Sequence, residues 1–121
     1  MKKMENGFTL IELIITIFLI ATLAVIAIPR LFNITSDAQT AVLKGIAGAL
    51  SSANAENYVV RSENTANGLA IKNCTGVSTL LESGLPSGYK IKSGSVAVNV
   101  TKTCTLDGPT LSATFSATGI N

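Results

Sequence analysis

An unbroken apolar run from Phe8 to Ile28 carries a single charge, Glu12, and that combination constrains the chain more than any other feature. The run has the length, about 20 residues, at which a helix crosses a bilayer, and in lipid a helix is the way a lone segment satisfies its own N–H and C=O groups. A carboxylate at the centre of such a helix costs about 2.5–3.5 kcal/mol, and less toward the interface, where Glu12 would lie. Something must offset that cost. The nearest counter-charge is the α-amino group that a cut between Gly7 and Phe8 would create.

A secretory signal peptide is the plainer alternative. Lys2 and Lys3 form a basic start, and Ala24-Val25-Ile26-Ala27 offers an A-x-A-like cut. Against it, the run exceeds the usual signal-peptide apolar core and contains Glu12. The pattern also continues past Pro29. Apolar or small residues recur at Leu31, Ile34, Ala38, Val42, Ile46, Ala49, Leu50 and Ala53, the spacing of one helix face. Pro29 removes a backbone donor and predicts a bend or a junction. Ser36 followed by Gln39 could cap a fresh start, so one continuous helix and two segments both fit. Thr16, Ala21, Thr22, Ala24 and Ala27 suit close helix packing in apolar surroundings. Gly45 and Gly48 cost roughly 1 kcal/mol each in helix propensity, and predict a smooth patch where the chain's own sheet lies close.

The string Gly7-Phe8-Thr9-Leu10-Ile11-Glu12-Leu13 resembles the processing signature of type IV pilins and the related pseudopilins. The resemblance implies that a prepilin peptidase cuts after Gly7 and N-methylates Phe8. Glu12 then stands near the start of the mature chain as an assembly residue, and Pro29 where many of these pilins place a proline. Ala21 departs from the pattern, standing where many carry glycine. The stretch from Pro29 through Asn33, Asp37, Gly45, Gly48 and Ala53 to Asn54 is similar to the mannose-sensitive haemagglutinin type of pilin. What this implies is a structural subunit, not an enzyme. It would sit in the inner membrane with its C-terminal part in the periplasm, and the pilus assembly machinery would draw it into a homo-oligomeric helical filament at the cell surface. Adhesion, motility and DNA uptake are the services such filaments give. A pseudopilin of a type II secretion system and a minor pilin remain as alternatives.

The expected organisation is a leader over 1–7, a long helix over 8–60 with 8–28 spanning the membrane, and a β-rich part over 61–121. The fold class is α+β, a long N-terminal helix with a small antiparallel sheet packed on its C-terminal half. After Tyr58 the composition shifts to Asn, Ser, Thr and Gly, and 61–68 reads as an exposed connection. Val77 to Glu82 suggests a short helix or turn. Turns are expected over Gly84 to Gly88 and at Asp107-Gly108-Pro109. Between them, alternation at Tyr89 and Ile91, at Val96, Val98 and Val100, and at Leu111, Ala113, Phe115 and Ala117 predicts three or four short strands.

Cys74 and Cys104 lie in this second part. Lys2 and Lys3 favour an inner leader and hence an oxidising compartment for the cysteines, where a pair of this kind is expected to be joined, adding roughly 3–4 kcal/mol. The spacing is not C-x-x-C, and the chain contains no His, so redox catalysis and a zinc site find no support. No metal or cofactor is expected. Net charge is +2, and the leader takes Lys2, Lys3 and Glu5 with it, so electrostatics name no partner. Lys72, Lys90, Lys92 and Lys102 lack interleaved aromatics and read as a solvated face, so no specific nucleic acid is expected. Asn33, Asn73 and Asn99 each begin a glycosylation sequon and read as polar surface.

Overall fold

The computed structural model describes residues 7–121, with the side chains of 27–33 outside that description. Helix α1 spans Leu10–Glu63, a 3₁₀ helix spans Cys74–Leu80, and strands β1 (Lys90–Ile91), β2 (Thr101–Asp107) and β3 (Ser112–Thr118) follow. The chain divides into two compact units, Met1–Asp37 and Ala38–Asn121. Helical backbone passes through Ser36 without a break, so Ser36 starts no second helix. The bend expected at Pro29 and the apolar position Leu31 fall among the side chains outside the description.

In the second unit the three strands form an antiparallel sheet in the order β1-β2-β3. Pairing sets Cys104 opposite Phe115 and Leu106 opposite Ala113. Strand alternation then sends Cys104 and Leu106 of β2 and Phe115 and Ala117 of β3 to one buried face. The expected turn at Asp107-Gly108-Pro109 closes the β2–β3 hairpin, with the Gly108 N–H donating to the Leu111 carbonyl at 2.7 Å. The short helix expected near Val77 is the 3₁₀ helix. Its Cys74 is bonded to Cys104 with a Cα–Cα distance of 5.8 Å, across a separation of 30 residues.

Helix α1 supplies the other wall of the core, on a face one register away from the expected one. Leu43, Ala47, Leu50, Asn54 and Asn57 are buried, whereas Ile34 and Val42 are exposed. The difference is set by two asparagines. The Asn54 carboxamide accepts the Thr118 N–H at 2.6 Å and donates to the Thr118 carbonyl at 3.2 Å. Asn57 does the same for Leu69, at 2.8 Å in both directions. Each amide thus meets a backbone residue as a neighbouring strand would, which removes the usual penalty for burying a polar side chain. Ser51 Oγ accepts the Ser116 N–H at 3.1 Å. Ser51 and Asn54 together occupy part of the outer edge of β3, where unpaired donors would otherwise invite another strand.

Three further expectations change. Gly45 and Gly48 do not touch the sheet, because a Cβ added at either position would meet nothing within 4 Å among the described residues, although Gly48 borders an open groove beside β3. Val96 to Val100 is not a strand: Val96 is buried, but Val98 and Val100 are exposed. Asn99 adopts a left-handed φ of 60°, which an asparagine tolerates, and the Val100 N–H turns back to the Ala97 carbonyl at 3.1 Å. The Tyr58 hydroxyl holds this turn by donating to Asn99 Oδ1 at 3.1 Å. Two isolated bridges, Asn73 with Ser95 and Val98 with Gly119, replace the expected ladder. Finally, α1 runs on to Glu63, and Arg61 in its last turn gathers the connection: it donates to the Asn121 carbonyl at 2.6 Å and to those of Thr65 and Gly68 at 2.9 and 3.2 Å.

Replacing Asn54 with Ala should lower stability by about 1–3 kcal/mol, because it leaves the Thr118 N–H and carbonyl without their buried partner. Urea unfolding of the detergent-solubilised chain checks this, with exposed Ser52→Ala as the near-neutral control. Replacing both cysteines with Ala should cost roughly 3–4 kcal/mol in the same measurement.

Candidate processing and assembly site

The first turn of α1 begins with a threonine and an acid at the spacing of a capping box, T-x-x-E, from Thr9 to Glu12. Thr9 precedes the first helical residue, and its backbone N–H donates to Glu12 Oε2 at 2.9 Å. Its hydroxyl donates to the same oxygen at 2.8 Å. In the reverse direction the Glu12 N–H lies 3.4 Å from Thr9 Oγ1. Two of the donors a helix start leaves open are therefore involved, and the carboxylate stands at the positive end of the helix dipole. The expectation for Glu12 looked outward for a cation and passed over this neutral partner. The T-x-x-E spacing was the signal that could have found it.

The other polar groups of the segment are turned inward. The Thr16 hydroxyl donates to the Glu12 carbonyl at 2.7 Å, and the Thr22 hydroxyl to the Leu19 carbonyl at 2.9 Å. Neither hydroxyl needs water, so neither obstructs an apolar environment. Around them Leu10, Ile11, Leu13, Ile14, Ile15, Phe18 and Leu19 are exposed on every side of the helix. A helix apolar all round is one that some other medium must cover. Phe8 is 84% exposed, and among the described residues nothing lies within 4 Å of the Cβ position of Gly7. Among the described residues no helix is long and apolar enough to cross a membrane. The described side chains of the apolar run stop at Ile26.

The Cys74–Cys104 disulfide belongs to the second unit. Pro29, the remaining expected assembly residue, lies among the side chains outside the description. Among the described residues no three His, Cys, Asp or Glu side chains cluster as a metal site would need. A surface depression of about 470 Å³ over the hairpin turn is lined by Asp107, Gly108, Pro109, Thr110, Leu111 and Ser112, with no basic side chain among them.

An apolar helix with an acid capped in its first turn, ahead of a small disulfide-bonded α+β unit, is the arrangement of a pilin-like protein. Residues 2–28 match the family model of the prokaryotic N-terminal methylation motif. That motif is the leader signature of type IV prepilins, and it covers the first quarter of the chain. No solved structure matches the chain significantly.

Thr9→Val removes the hydroxyl while leaving the backbone donor, and should weaken the first turn by about 1 kcal/mol, a typical cap loss. Amide exchange at Glu12, measured by NMR in detergent micelles, should then speed up about fivefold, the factor that energy corresponds to. Unchanged exchange would mean that the hydroxyl contributes nothing to the cap.

Proposed function

We propose that the chain is the structural subunit of a type IV pilus-like filament, made as a membrane-inserted precursor whose leader, residues 1–7, is removed after Gly7. Phe8 becomes the N-methylated first residue. The helix that follows leaves the inner membrane as the assembly machinery stacks subunits, and the apolar run from Phe8 to Ile28 becomes the filament core. The observation that carries this reading is the methylation motif over residues 2–28, lying on a helix whose apolar side chains nothing in the chain covers.

The capping geometry supports a role for Glu12 in assembly. The Thr9 N–H already touches its carboxylate at 2.9 Å, and the nitrogen of Phe8 is the next one back along the chain. An ammonium freed there would be the counter-charge of the Glu12 carboxylate, in the same subunit or from a neighbour. Small residues at Ala21, Ala24 and Thr22 would let helices approach once they pack on one another. The Cys74–Cys104 disulfide supports a pilus over a secretion pseudopilus, whose kind the resemblance associates with a disulfide-free fold. Adhesion of the mannose-sensitive haemagglutinin type is the finer reading the resemblance favours, with motility and DNA uptake as the other services of such filaments.

Replacing Gly7 with Leu should leave a membrane-bound precursor, seen by mass spectrometry as a chain still carrying residues 1–7. Glu12→Val should be processed normally yet yield few filaments on shearing. If that variant builds filaments as well as the parent does, Glu12 has no part in assembly.

A further inference from the structure

The second unit has two unlike flanks, one on each side of the α1 face that it buries. On one flank Lys44, Gly48 and Ser51 run beside the outer edge of β3, and with Ser112 and Thr114 they enclose an open groove of about 370 Å³. The strand register turns alternate N–H groups of β3 outward. Those of Ser116 and Thr118 are taken by Ser51 and Asn54, while Ser112 and Thr114 have no such partner among the described residues. A Cβ added at Gly48 would meet nothing within 4 Å among the described residues, so this flank is bare enough for a second backbone to come close.

The other flank is acidic. At 3.6 residues per turn, Ala53 and Val60 lie about half a turn round the helix from Lys44, and Glu56 about a third of a turn. With Leu80 of the 3₁₀ helix they line a groove of about 260 Å³. Glu82 follows closely in the chain, on an exposed turn in which the Gly84 N–H donates to the Leu81 carbonyl at 2.9 Å. Lys44, Glu56 and Glu82 are all exposed, and none forms an ion pair among the described residues, where Lys92–Asp107 is the pair found.

We propose that these flanks are the two halves of a head-to-tail contact between copies of this chain, with the Lys44 flank of one copy seated on the Glu56–Glu82 flank of the next. The inference rests on the filament function proposed above. A contact between two unlike surfaces is heterologous, and it repeats along an open helical array where its rotation does not close into a ring, as the filament function requires. The chemistry matches as well. The Lys44 stem can lie along Ala53, Val60 and Leu80 while its ammonium meets a carboxylate, the usual way a long basic side chain covers apolar surface.

Carbodiimide coupling of sheared native filaments tests the contact, because it joins an amine to a carboxylate only where the two already touch. Peptide mapping of the covalent dimer should find Lys44 linked to Glu56 or Glu82, and Lys44→Gln should abolish that link. Lys44→Glu should reduce filament yield at least roughly tenfold through like-charge repulsion, with the Cys74–Cys104 disulfide intact as the check on folding. A dimer linked only through other lysines, or a full filament yield from Lys44→Glu, would overturn the contact while leaving the filament function standing. Absence of any filament from the parent chain would remove both.

Discussion

Everything in this molecule follows from a helix that its own chain cannot bury. From Phe8 to Ile26 the large apolar side chains are exposed among the described residues. Burying a side chain such as Leu or Ile contributes about 1.5–3 kcal/mol, so a segment of this kind cannot stay in water. On the proposed function, lipid covers it first and other copies of the same helix afterwards. The polar groups are arranged so that either medium serves. Thr16 and Thr22 return their hydroxyls to the helix backbone, and Glu12 is held by Thr9, so little polar chemistry has to be re-partnered when one apolar surrounding replaces another.

The same helix solves a different problem further along. A sheet with one two-residue strand and two seven-residue strands has little interior of its own. Leu43, Ala47 and Leu50 of α1 close that interior, and Asn54 and Asn57 fix its register by binding the backbone at Thr118 and Leu69. The disulfide ties the 3₁₀ helix to β2. A small unit therefore gains by borrowing a wall and adding a covalent tie, which is how domains of limited core commonly reach stability.

Much of this was legible in the residues. A long apolar run with one acid, a turn chemistry of Gly, Pro and Asp at the hairpin, and two cysteines in the second part each have one dominant physical reading. The helix register was not legible, and the reason is specific. Between Ala38 and Asn57 alanine, glycine and serine occupy so many positions that several stripes of period 3.6 look equally apolar. The true one is marked by asparagines, which a count of apolar residues assigns to the outside. Val96, Val98 and Val100 misled in the opposite way, because their alternation is real but Asn99 turns the backbone through a left-handed conformation between them. Strand β2, with Thr101, Thr103 and Thr105 between its buried residues, has the weaker apolar pattern and the better ladder.

The capping box also changes how the leader cut is to be understood. In the uncut chain Glu12 already has two donors from Thr9, so hydrogen bonding alone does not require a new amine. Both donors are neutral, however, and leave the carboxylate with its full negative charge. Moving that charge among other apolar helices remains costly whatever hydrogen bonds it keeps. On the proposed function, an ammonium at Phe8 contributes what Thr9 cannot: it makes the start of the helix electrically neutral overall. Thr9 then acts by positioning, since it holds the carboxylate against the backbone at the place where the new cation appears. Cleavage would thus convert a segment suited to the membrane interface into one that can be buried among its own copies.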